Sequence, residues 1–125
     1  MPSDTESWIE ADLRQRFFLI SVTTQGRSDV DYWITSYRFS YSRDDVTWTN
    51  ISILYSANSD RNTKVTNQLP GTADGRFIRL QPQTWEGSVG LRWEVNGITH
   101  RRFASVFHIW IYIHYYLAGL LMGCL

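Results

Sequence analysis

Ile34-Thr35-Ser36-Tyr37-Arg38-Phe39-Ser40-Tyr41-Ser42-Arg43-Asp44-Asp45-Val46-Thr47-Trp48-Thr49 reads as a β-hairpin. Ser36, Arg38 and Ser40 alternate with Tyr37, Phe39 and Tyr41. A period of two puts each set on its own face of a strand, one wet and one dry. Arg43-Asp44-Asp45 is a tight polar turn, and Val46-Thr47-Trp48-Thr49 returns from it.

The same grammar extends outward. Phe17-Phe18-Leu19-Ile20-Ser21-Val22-Thr23-Thr24 is short, apolar and β-branched, which predicts a buried strand. Gln25-Gly26-Arg27-Ser28-Asp29-Val30-Asp31 breaks it with turn chemistry. Downstream, Ile51 to Tyr55 predicts another short strand, and the polar run through Asn62 predicts a loop. Leu69-Pro70-Gly71-Thr72-Ala73-Asp74-Gly75 predicts a second loop. Arg76-Phe77-Ile78-Arg79-Leu80 alternates again, with Pro82 as its stop. Leu91-Arg92-Trp93-Glu94-Val95 alternates too, and Asn96-Gly97 is expected to turn the chain. No window before residue 100 has helical spacing, and no internal repeat is visible. Many short strands with frequent turns give an all-β sandwich or barrel.

Composition agrees and narrows the function. The chain of 125 residues suits one domain. Aromatic residues make up 15%, which favours pleated, half-buried surfaces. The 12 basic and 12 acidic side chains cancel, so no basic footprint for a nucleic-acid backbone exists. Cys124 stands alone and can form no internal disulfide. His100, His108 and His114 lack metal-ligand spacing, and no nucleophile has a supporting acid–base context, so an enzyme is not expected. The polar, acidic start, Met1-Pro2-Ser3-Asp4-Thr5-Glu6-Ser7, is not a signal peptide.

The tail differs in kind. Residues 103–125 carry no Lys, Arg, Asp or Glu and are long enough to span a bilayer. Arg101 and Arg102 precede them, which by the positive-inside rule opposes an extracellular domain ahead of a span. Ile109, Ile111 and Ile113 alternate with Trp110, Tyr112 and His114, which suits a strand instead. A non-native extension is the third reading, and all three stay open. A lipid-anchor signal fits poorly, because its spacer would be too short and would carry arginines.

Five phrases occur in order: Trp8-Ile9-Glu10-Ala11-Asp12-Leu13; Val22-Thr23-Thr24-Gln25-Gly26-Arg27; Thr35 through Trp48 of the hairpin; Arg76-Phe77-Ile78-Arg79-Leu80-Gln81-Pro82-Gln83-Thr84-Trp85; and Leu91-Arg92-Trp93-Glu94-Val95-Asn96-Gly97. Together they resemble the discoidin, or coagulation factor 5/8 type C, domain family over residues 7–97. The resemblance implies a jelly-roll, galactose-binding-like β-sandwich. It implies a non-catalytic, extracellular or cell-surface adhesion module that recognises glycans or cell-surface and matrix proteins through loops at one end. Phosphatidylserine membranes are the second ligand class it allows. The resemblance is also compatible with a membrane-tethered version, or with a partial domain that has no function. The family domain normally starts about forty residues earlier and closes with a Cys where Ile98 stands here, so the sandwich is expected to be incomplete, with residues 98–125 as an atypical hydrophobic segment. The missing terminal disulfide would stabilise by roughly 2–5 kcal/mol. Ala11 and Arg14 stand where the family usually has Val and Gly.

The resemblance places the candidate ligand groups in loops. Arg27, Ser28, Asp29, Val30, Asp31 and Tyr32 form the foremost. Arg27 suits an anion or a carboxylate, Asp29 and Asp31 suit sugar hydroxyls, and Val30 and Tyr32 suit a lipid interface or a sugar ring. The plainer reading is a solvated turn with Arg27 paired to an Asp. Asn58, Asp60, Arg61 and Asn62, with Ser59 between them, suit glycan hydroxyls or a hard cation such as Ca²⁺, against ordinary Asx-turn chemistry. In the loop Trp85-Glu86-Gly87-Ser88, Trp85 is either a stacking platform or core, and Trp33 is expected in the core. Arg79, Arg92 and Glu94 read as paired structural charges. Asn50-Ile51-Ser52 is an N-glycosylation sequon, relevant only on a secreted chain.

Overall fold

The period-two patterns do become strands. The computed structural model describes residues 8–100 and, as backbone, two short strands beyond them. The elements are β1 (Ile9–Gln25), β2 (Trp33–Ser42), β3 (Trp48–Asn50), β4 (Tyr55–Ser56), β5 (Val65–Gln68), β6 (Asp74–Glu86), β7 (Arg92–Thr99), β8 (Val106–Ile109) and β9 (Leu121–Met122). They join in one curled sheet with the order β3-β2-β6-β1-β7-β8, while β4 pairs with β2, and β5 and β9 pair with β1. Every pairing is antiparallel except that of β1 with β9.

β1 organises the sheet because it changes partners. Ile9 to Asp12 lie opposite Leu80 to Phe77 of β6. Beyond a register shift, Phe17 and Phe18 still pair with Gly75 and Asp74 of β6, while Phe17 to Gln25 lie opposite Thr99 to Arg92 of β7. Ser21 to Thr24 also pair with β5. The shift contains Arg14, which has a left-handed φ of 71° and donates its N–H to Asp12 Oδ1 at 2.8 Å. A bulge of this kind bends a strand and lets one strand serve both halves of a curled sheet.

The dry face is the one the alternation gives. Tyr37 and Phe39 are buried with Ile34, Ile78, Leu80, Leu91, Trp93 and Val95, against Ile9, Leu19 and Val22 of β1. Each such aliphatic or aromatic side chain contributes about 1.5–3 kcal/mol by leaving water.

Several boundaries differ from the sequence reading. The strand expected over Ile51 to Tyr55 shrinks to β4, because Ile51 turns inward while Ile53 and Leu54 remain exposed. Pro82 does not end its strand: β6 runs on to Glu86, and Pro82 sits opposite Tyr37 beside two register shifts, where a missing donor is tolerated. Asn96-Gly97 does not turn the chain; β7 continues through Ile98 and Thr99. Gly97 is there for close approach, since a Cβ would lie 3.0 Å from Phe18 O and 3.2 Å from Phe17 Cβ. Trp33 is only half-buried. β5 and the Ile9–Leu13 part of β1 carry no periodic signal strong enough to predict them.

The readings of residues 103–125 as a span, strand or non-native extension fall mostly outside the described residues, including Ile111 and Ile113. Within the described backbone, β8 pairs with β7 from Val95↔Ile109 to Ile98↔Val106. No helix among the described residues is long and apolar enough to cross a membrane.

Candidate functional site

The strand directions bring three loops to one end of the sheet. Residues 26–32 leave β1 and enter β2, residues 57–64 join β4 to β5, and residues 87–91 join β6 to β7. All of the predicted loop residues lie there, and Trp85 lies just below, half-buried against the core.

The loops are held from beneath by polar side chains that bond main-chain oxygens. Arg92, 9% exposed, donates from Nε to Gly26 O at 2.8 Å, and from Nη2 to Arg61 O at 2.8 Å and Asn62 Oδ1 at 2.9 Å. One planar guanidinium thus fixes two loops at once. Gln25 donates to Asn62 O at 2.7 Å. Asn58 is buried, and its Nδ2 bridges Thr24 O and Thr63 O at 2.9 and 3.0 Å.

This changes the roles within the second loop. Asn58 faces inward, buried beneath the loop. Asp60 spends its carboxylate on the turn: Oδ1 accepts Asn62 N–H and Thr63 N–H, and Oδ2 accepts the Thr63 hydroxyl. Those bonds, the Thr63 N–H first, hold its carboxyl below the usual range. Asn62 accepts from both Arg92 and Gln25. Arg61 of that group joins the neighbouring loop, its Nε meeting Asp31 Oδ1 at 3.2 Å.

The 26–32 loop forms the rim itself. Arg27 N–H donates to Tyr32 O at 3.0 Å, closing the loop. The Arg27 guanidinium grips Asp29 through two bonds of 2.9 and 2.7 Å, which hold the Asp29 carboxyl below its ordinary value. The local Arg–Asp pairing therefore occurs, yet it is a rim feature: Ser28, Asp29 and Asp31 are exposed. Val30 and Tyr32 are half-buried, so neither stands out as an apolar tip. The Arg27 guanidinium lies 5.6 Å from the Tyr32 ring centre.

Glycines set the fit between the loops. Gly87 has a φ of +74°, and a Cβ there would collide with the Tyr32 ring. At Gly90 a Cβ would lie 2.8 Å from the Arg27 stem, and at Gly26 it would lie 3.0 Å from Arg61 Cα. The 26–32 loop thus rests directly on the 87–91 loop. Sequence reasoning misses Gln25, Arg92 and Gly90 as site residues. A buried arginine flanked by apolar positions in Leu91-Arg92-Trp93 is the signal that could have found one of them.

The other predicted positions lie elsewhere. Arg79 pairs with Glu10 at 2.7 Å and is sandwiched between the rings of Trp8 and Trp48 at 4.4 and 3.9 Å. Glu94 meets Lys64 at 3.6 Å, so both charges are paired as expected. Arg92 instead bonds neutral oxygens. Asn50 is exposed at the end of β3. Among the described residues no three His, Cys, Asp or Glu side chains group as metal ligands.

At the opposite end of the sheet the polar chemistry closes on itself. Asp74, at the start of β6, accepts Arg16 Nη2 at 2.8 Å, Arg43 Nη2 at 3.0 Å and His100 Nε2 at 2.7 Å. Burial pushes its carboxyl up, but the bonds from Arg16 and His100 outweigh burial and hold it below the usual range. The His100 ring stacks on Phe18 with centroids 3.9 Å apart.

Comparison with known proteins matches this arrangement to others. The F5/8 type C domain model matches residues 1–95. The chain is 32% identical over 113 residues to discoidin-2 of Dictyostelium discoideum, covering 81% of this chain and 44% of that one. It is 33% identical over 99 residues to mouse (Mus musculus) retinoschisin, covering 74% and 44%. Two solved structures of Dictyostelium discoideum discoidin II superpose with TM-scores of 0.63 and 0.67, at 35% and 33% identity. They cover 66% and 72% of this chain and 33% and 36% of theirs. The chain spans less than half the length of these relatives.

Proposed function

The chain belongs to the F5/8 type C domain family, with a discoidin-like β-sandwich fold and no catalysis, and from that premise we propose that it is an adhesion module recognising glycans on cell-surface or matrix proteins. The observation that carries this reading is the rim built by residues 26–32 over Arg61 and Gly87. It is preorganised from below by Arg92, Gln25 and Asn58, so little ordering remains to be done on binding.

Arg27 with Asp29, and Arg61 with Asp31, set two ion pairs along that rim. Such a row offers donors and acceptors side by side, which suits vicinal hydroxyls and acidic sugars. Tyr32 supplies a ring edge beside them. A lipid-inserting role has less support, because Val30 and Tyr32 are half-buried instead of fully exposed. An extracellular or cell-surface setting belongs to the same proposal, and there the exposed Asn50 sequon would accept a glycan.

A glycan array probed with the tagged chain tests the proposal. Binding that falls at least tenfold in Arg27→Ala and Asp31→Ala, with unchanged thermal midpoints, is expected. Pelleting with phosphatidylserine vesicles and no array signal would replace the reading with membrane binding.

A further inference from the structure

A concavity lies at the far end of the sheet, beside Asp74. It has a volume of about 440 Å³ and is lined by Tyr41, Arg43, Asp44, Thr47, Thr49 and Thr72, with Asp74 at its floor. That volume falls in the range that accepts small molecules. Its chemistry says which kind.

The floor is already neutralised. Both Asp74 oxygens accept two donors each, from Arg16, Arg43 and His100, so no carboxylate there calls for a cation. At the mouth Arg43 and Asp44 balance one another, so no net charge selects an anion. The remaining groups are uncharged hydroxyls. Those of Tyr41, Thr47, Thr49 and Thr72 have no protein hydrogen-bond partner among the described residues.

The two charged groups keep capacity in reserve. Asp44 receives Ser42 Oγ, Val46 N–H and Thr47 N–H on Oδ1, leaving Oδ2 as an acceptor. Arg43 uses Nη2 on Asp74, leaving Nε and Nη1 as donors. Ser42 Oγ in turn accepts the N–H groups of Asp44 and Asp45 at 3.3 and 3.0 Å, which fixes the hairpin that carries both. An acceptor, a donor and several hydroxyls thus line a single preformed hollow. A pyranose needs that set: paired donor and acceptor for adjacent hydroxyls.

We infer that this hollow is a carbohydrate subsite for one neutral pyranose ring, separate from the loop rim at the other end. Affinity for a single ring in so open a site is in the millimolar range, about −4 kcal/mol.

The test is an amide-resonance titration of the full chain with methyl β-galactopyranoside and with methyl α-mannopyranoside. Shifts from at least one of them should concentrate on residues 41–49 and 72–74. Thr49→Val and Thr72→Val, which keep shape and remove a hydroxyl, should each weaken the interaction about fivefold and leave the spectrum otherwise folded. Arg27→Ala should leave it unchanged, which separates this site from the loop rim. Absent shifts with both sugars, or shifts confined to residues 26–32, would overturn the inference. Shifts at 41–49 that survive both Thr→Val changes would overturn it as well.

Discussion

The two ends of the sheet spend their polar side chains in opposite ways. At the loop end, Arg92, Gln25 and Asn58 bond main-chain oxygens of Gly26, Arg61, Asn62, Thr24 and Thr63. At the far end, Arg16, Arg43 and His100 close on the side chain of Asp74. A clamp on backbone dictates where a loop runs and leaves the tip side chains to other uses. A hub of side chains locks strands together and consumes the charges that make it. The contrast explains how exposed polar tips can sit on a rigid base at one end.

Breaking the clamp should produce the largest effect. Arg92→Met removes a buried donor from three oxygens and leaves them unsatisfied. A loss of about 3–4 kcal/mol in urea unfolding is expected. Amide exchange should accelerate in residues 26–32 and 57–64 and barely change around Asp74. Uniform acceleration across both ends would mean that Arg92 supports the whole core and not the loops alone.

The hub comes second. Asp74→Asn leaves Arg16 and Arg43 facing each other without their shared carboxylate, for a loss of about 2 kcal/mol. The sign of the pH dependence follows from the depressed carboxyl. A carboxylate whose folded value lies below its unfolded value, about 3.9, gives its full stabilisation above that value. It loses that stabilisation as pH falls through the folded value. Wild-type stability should therefore drop below about pH 4, and the drop should flatten in Asp74→Asn. An unchanged acid limb would assign the drop to other carboxylates, such as Asp12, which Arg76 holds below its usual value.

Gly87→Ala sharpens the comparison from the rim. The new Cβ would sit at a left-handed φ and press on Tyr32, costing about 1–2 kcal/mol. Its signature is local: Tyr32 ring resonances shift, and glycan binding weakens more than the thermal midpoint falls.

The sequence made one end more legible than the other. The hairpin of β2 and β3 was readable because Tyr37 and Phe39 alternate with Arg38 and Ser40, and burial follows that order. The loop end was readable as turn-rich polar segments, and the family resemblance placed the 26–32 and 58–62 loops at one end. What was not legible is which polar residue does what. Asn58, Asp60 and Asn62 look like ligand groups because short hydrogen-bonding side chains serve ligands and turns equally well. Only the folded chain shows that they face Thr24, Thr63 and Arg92. The Asp74 hub was invisible, since its members come from positions 16, 43, 74 and 100, brought together by the register of β1, β2, β6 and β7. Asn96-Gly97 misleads for a similar reason: a turn dipeptide also suits a strand that needs a neighbour's backbone close by.

The smallest expected effect concerns the bulge that joins the two ends along β1. Arg14 holds a φ of 71°, a conformation that costs a side-chain-bearing residue about 1–2 kcal/mol and costs glycine almost nothing. The family usually places Gly at this position. Arg14→Gly should relieve that strain, while the freer unfolded chain gives back about half a kcal/mol or more. A net gain near 0.5 kcal/mol follows, visible as a rise of roughly 2–3 °C in the thermal midpoint. Arg14→Ala is the control, because it removes the long side chain but keeps the Cβ that causes the strain. Equal gains in both variants would mean that the Arg14 side chain, and not its backbone, is the unfavourable element. A gain in Gly alone would show that β1 stores strain at the register shift within its pairing with β6, so the bend that brings both ends onto one strand is held by the core on either side of it.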